Sequence, residues 1–141
     1  GLPESTLARV IDTERRTAPN DGLRLCLAVN YGGRQELVDA ARSLARDAVA
    51  GRLDPDSIDE AALAARLYPE TAMDVDLLMR TAHEYRVSNF LLWQISYAEI
   101  HVTDVLWPDV TEADLHAAIL DFAGRERRFG GLSPQDGARP C

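Results

Sequence analysis

DLLMRTAHEYRVSNFLLWQISYAEIHVTDVLWP, residues Asp76 to Pro108, sets two arginines, a serine, an amide and a carboxylate between apolar stretches that must be buried. The apolar runs Val75–Met79 and Ile100–Val102 read as strands. Between them Ser88–Trp93 reads as a helix with Ser88 or Asn89 near its N-cap, since short polar side chains satisfy the free amides of a first turn. Helix alternating with strand indicates an α/β layer structure with helices on both faces of a parallel sheet.

The same alternation continues outward on both sides. Leu7, Val10 and Ile11 recur at helical spacing over Ser5–Thr17, and Pro19-Asn-Asp-Gly22 then stops the helix. Leu23–Val29 is apolar on both faces apart from Arg24, the pattern of a central parallel strand covered on each side. A loop, Asn30–Arg34, leads into a helix over Glu36–Ala50 ended by Gly51. Ser57-Ile-Asp-Glu60 has the form of a capping box and predicts a short alanine-rich helix finishing near Tyr68-Pro69. Thr111–Asp114 opens a last long helix whose Leu115, Ile119 and Phe122 are expected to face the sheet. Residues 1–131 form one domain in this reading, and the polar stretch 132–141 is expected to be a flexible tail.

Three strands are few for such a sheet, which normally uses four to six. One sheet edge and at least one apolar face are therefore expected to be covered by another chain. The net charge of −8 argues against a nucleic-acid surface, which needs a basic footprint. Two cysteines, one in an apolar run and one at position 141, make neither a disulfide framework nor a zinc site and fit a reducing cytosol. No stretch approaches the roughly 20 apolar residues of a membrane span. A soluble cytoplasmic protein is expected, lying close to a membrane if it handles lipid.

The polar residues of the central run suit a diphosphate. Arg80 leaves an apolar strand at the carboxyl end of the sheet, where open α/β sheets bind ligands. Arg86 and Ser88 follow six and eight residues later as further donors. Glu99 is a carboxylate among apolar neighbours and must be paired, protonated or metal-bound. A salt bridge with Arg80 or Arg86 and a hard metal ion are both open readings. One carboxylate alone makes a poor magnesium site.

Four blocks together carry a resemblance: Leu27–Arg34 (LAVNYGGR), the central run, Thr103–Pro108 (TDVLWP) and Arg125–Gly131 (RERRFGG). In this order they resemble the C-terminal half of the cis-prenyltransferases, the undecaprenyl diphosphate synthases and their relatives. The resemblance implies condensation of isopentenyl diphosphate with an allylic diphosphate, with magnesium as cofactor. At the matching positions it implies that Arg80, Arg86 and Ser88 grip the diphosphate of isopentenyl diphosphate. Asn30 and Arg34 are implied to lie close to the catalytic aspartate, and Glu99 to help bind magnesium. Arg128 and Gly130 match an Arg-x-Gly motif that reaches into a partner's active site.

One departure is marked. Ala82-His83 stand where the family pattern usually has two glycines, residues that permit positive φ or close approach of a ligand. The aspartate-bearing phosphate loop of the family's N-terminal half also has no counterpart in this sequence. The expected role is therefore the small subunit of a heteromeric enzyme whose larger partner carries that aspartate, most of the magnesium ligands and the prenyl tunnel. A non-catalytic scaffold with an idle pocket, and a C-terminal piece of a longer enzyme, remain open.

Overall fold

The computed structural model describes residues 2–127. The chain divides between Tyr31 and Gly32 into two compact units. The first holds helix α1 (Glu4–Thr17), close to the expected bounds. The segment 23–29 that follows it is not a strand: it has no ladder partner, and Leu23 and Leu25 are 96% and 75% exposed. This overturns the expected central strand. Its doubly apolar pattern needs a neighbour on each edge and a layer on each face, and the described residues supply neither.

The second unit contains α2 (Gly33–Val49), α3 (Glu60–Ala64), β1 (Leu77–Arg80), β2 (Glu99–Val102) and α4 (Glu112–Ala123). Strands β1 and β2 pair in parallel, with Leu77 opposite Glu99 and Arg80 opposite Val102. Helix α4 packs on both strands and α3 packs on α2. The α/β architecture is thus present, with two sheet strands rather than three among the described residues. Buried apolar side chains are few: Ala40, Leu44, Leu67, Leu78 and Ala118. On α4 the deeply buried residue is Ala118, while Leu115 and Ile119 stay about half exposed at 48% and 47%.

Two local expectations fail for identifiable reasons. Helix α3 is capped by Asp59, whose side chain accepts from the Ala62 amide at 2.8 Å, while Ser57 ends a preceding 3₁₀ turn. The nearer carboxylate wins the cap. Residues 88–98 form successive turns instead of a helix, because Ser88, Asn89 and Leu91 take φ of 56°, 62° and 46°. Left-handed residues cannot continue a right-handed helix.

Asn89 is drawn instead to the start of α2. Its carbonyl accepts from Gly33 N, and its side-chain oxygen accepts from Arg34 N, both at 2.8 Å. The cap comes from 55 residues away. Gly33 makes this approach feasible: a Cβ there would lie 3.0 Å from Leu92 Cγ and 3.1 Å from Leu92 N. One turn further along α2, the buried Glu36 carboxylate accepts from Tyr68 N at 3.0 Å, from the Thr71 hydroxyl and from Gln94 Nε2 at 3.2 Å. A buried carboxylate needs several such donors, and this one ties both loops that flank β1 to α2.

Candidate functional site: two arginines on one carboxylate

Arg80 is the last residue of β1, so the ladder fixes its backbone at the carboxyl end of the sheet. Its Nη2 donates to Glu84 Oε2, and Arg86 Nη2 donates to Glu84 Oε1. One carboxylate thus bridges two guanidiniums. Beside them lies a pocket of about 250 Å3, whose walls include Leu78, Arg80, Tyr85, Arg86, Ile100 and Val102. Arg80 Nε is buried without a hydrogen-bond partner among the described residues, which leaves a charged donor available to a ligand. Arg86 is two-thirds exposed, and Ser88 two residues on is exposed.

The loop between β1 and Arg86 is held tightly. Ala82 and His83 have φ of 56° and 54°. These are the positions where the resemblance expects glycines, and the backbone adopts the glycine conformation with larger residues. Ala82 N donates to Val105 O and His83 N to Thr103 O, both at 2.9 Å. Neither amide is left for a phosphate. His83 Nδ1 lies 2.5 Å from Asp104 Oδ1, and its ring stands edge-on to Tyr85 with centroids 4.9 Å apart.

Glu99 does not join this cluster. It opens β2 opposite Leu77, three ladder positions from the level of Arg80, or about 10 Å along the strands. Its partner is Arg125, at 2.9 Å, rather than Arg80 or Arg86. Arg125 also donates to Ile100 O at 3.0 Å and pairs with Asp121 at 2.6 Å, and His101 Nδ1 sits 2.7 Å from the same Asp121 oxygen. The Arg125 guanidinium, with help from His101, holds the Asp121 carboxyl below the usual carboxylate range. Arg127 pairs with Asp76 just ahead of β1 and stacks over Phe122 at 5.6 Å.

Magnesium finds no cage here. Among the described residues no three histidine, cysteine or acidic side chains gather as a metal would require. Glu99 offers one carboxylate already engaged by a guanidinium, so these residues do not by themselves fit the ion. Asn30, with φ of 56°, lies next to last in the first unit, and Arg34 stands in the first turn of α2 with an exposed side chain. Arg128 and Gly130, and the expected tail, lie outside the described residues. No helix among the described residues is long and apolar enough to cross a membrane.

Sequence reasoning missed Glu84, Asn89, Glu36 and Arg125. Glu84 carried a signal, since it lies four residues after Arg80 and two before Arg86. The other three act across 26 to 58 residues of chain, for which a single sequence has no marker.

The family model described as putative undecaprenyl diphosphate synthase matches residues 1–130. The chain belongs to the cis-prenyltransferase family. It is 52% identical over 128 residues to a ditrans,polycis-undecaprenyl-diphosphate synthase, (2E,6E)-farnesyl-diphosphate specific, of Salmonella paratyphi A, covering 91% of this chain and 51% of that protein. It is 48% identical over 133 residues to an isoprenyl transferase of Prochlorococcus marinus, covering 94% and 50%. Among solved structures, lavandulyl diphosphate synthase from Lavandula x intermedia, in complex with dimethylallyl diphosphate, superposes with a TM-score of 0.83 at 41% identity, covering 92% and 56%. A probable undecaprenyl diphosphate synthase from Campylobacter jejuni gives 0.73 at 35%, covering 92% and 58%. The cis-prenyltransferase chain spans about half the length of the curated relatives it matches.

Proposed function

We propose that this chain is the small subunit of a heteromeric cis-prenyltransferase that condenses isopentenyl diphosphate with an allylic diphosphate. The observation that carries the reading is the convergence of Arg80 and Arg86 beside a pocket at the carboxyl end of β1. There the two guanidiniums hold the diphosphate of isopentenyl diphosphate, with Ser88 as a neutral donor. Preorganised cations of this kind stabilise negative charge without reorganising during the reaction.

Unpaired surface supports a larger partner. Leu23, Leu25, Leu27 and Val29 form an exposed apolar run, and β1 and β2 each have a strand edge with no partner among the described residues. A partner carrying the rest of the family's fold would cover these and supply the catalytic aspartate and most ligands of any magnesium ion. In this reading Arg128 and Gly130 act in trans, as the resemblance implies. A second reading, a scaffold with an idle pocket, is favoured by one observation: the Ala82 and His83 amides are already spent on Val105 and Thr103.

The test is to isolate the native complex from its source cells, identify its chains by native mass spectrometry, and assay condensation with labelled isopentenyl diphosphate. An active complex with a second, larger chain is expected, and R128A is expected to lower turnover while leaving assembly intact. A lone chain without activity rejects the subunit reading, and full activity in R128A selects the scaffold.

A further inference from the structure

Glu84 carries the structure beyond this assignment. Its two oxygens each accept from one arginine, the spread that two oxygens of a single phosphate group would present to the same donors. The partners differ in freedom: Arg80 is fixed by the β1 ladder and mostly shielded, whereas Glu84 and Arg86 lie outside regular structure and Arg86 is two-thirds exposed. The carboxylate accepts from Nη2 of each guanidinium, and the buried Nε of Arg80 has no partner among the described residues.

We propose that Glu84 is an internal counter-anion of the diphosphate pocket, competing with substrate and product for Arg80 and Arg86 and so setting the affinity and selectivity of the site. This rests on the diphosphate reading given above. With Glu84 in place the two arginines and the carboxylate sum to one positive charge. A monoanion carries no more charge than Glu84 and gains nothing by displacing it. A diphosphate carries more, offers oxygens to both guanidiniums and to Arg80 Nε, and displaces it. After condensation the returning carboxylate helps the diphosphate product leave. No bond is made or broken in this exchange.

The probe is inorganic pyrophosphate, titrated calorimetrically into the purified full chain together with any polypeptide that copurifies with it. Glu84→Gln keeps the size and removes the charge, and is expected to bind pyrophosphate at least about tenfold more tightly, because one unit of opposing charge within ion-pair distance is gone. Glu84→Asp keeps the charge and is expected to stay within about threefold of the parent. Arg86→Ala separates the two levels of argument. If Arg86→Ala leaves pyrophosphate affinity unchanged, the diphosphate reading itself fails and this inference falls with it. If Arg86→Ala weakens binding but a folded Glu84→Gln, matched to the parent by circular dichroism, binds no more tightly, only the competitor role of Glu84 is overturned. Tightening in Glu84→Asp as large as in Glu84→Gln overturns the charge argument as well.

Discussion

Replacing Ala82 by glycine is expected to stabilise this protein, against the usual direction for such a change. Ala82 sits at φ 56°, where an L side chain crowds its own backbone at a cost of about 1–2 kcal/mol. Glycine removes that cost but adds unfolded-state freedom worth about 0.4–1 kcal/mol. The amide bond to Val105 O is kept, and Ala82 is exposed, so little packing is lost. The net gain is about 0.5–1 kcal/mol, or a rise of about 2–5 °C in Tm for a chain of this size. Thermal unfolding followed by circular dichroism, with urea midpoints at unchanged m-value, reads it directly. Ala82→Val supplies the opposite control, since a β-branched residue tolerates the left-handed region worst. An A82G variant with the parent's Tm, or a lower one, would refute the strain argument, and so would an A82V variant as stable as the parent.

Two further outcomes follow from the same geometry. Gly33→Ala puts a Cβ 3.0 Å from Leu92 Cγ and 3.1 Å from its backbone nitrogen, and because backbone cannot swing aside the expected loss is about 1–3 kcal/mol by urea denaturation. A cost below about 0.5 kcal/mol would mean that the 89–92 turn does not sit on the start of α2. For Asp121, whose folded pKa is lowered by Arg125 and then by His101, the sign is that of a carboxylate favoured in its charged form. Its contribution is full above the unfolded value near 3.8 and disappears as pH falls through the lower folded value. The stability gap between the parent and Asp121→Asn is therefore expected to close as pH falls below about 4, whereas a gap unchanged between about pH 5 and 2.5 would reject the ion-pair origin.

Arg80 and Glu99 show how far a single sequence reaches. Arg80 was legible because an apolar run ending in a cation places that cation at a strand's carboxyl end, whatever the surroundings. Glu99 was legible as a carboxylate needing a partner, yet the partner, Arg125, lies 26 residues away on the far side of α4. Local spacing offered Arg80 and Arg86 instead, but the strand register sets Arg80 three positions away and Arg86 pairs with Glu84. The Ser88–Trp93 helix failed in the same way: Ser88 or Asn89 was expected to cap a local helix, but Asn89 caps α2 instead.

By itself the sequence determined the α/β class, the positions of α1, α2, β1, β2 and α4, and the order of the motif blocks that carry the family resemblance, since periodicity, caps and motif blocks are local properties of the chain. Tertiary structure alone decided that Leu23–Val29 is no strand here, that Glu84 joins the two arginines, and that Arg125 takes Glu99 from them. A strand exists only when a neighbour accepts its hydrogen bonds, and a charge finds its partner through the fold, not through the spacing of letters.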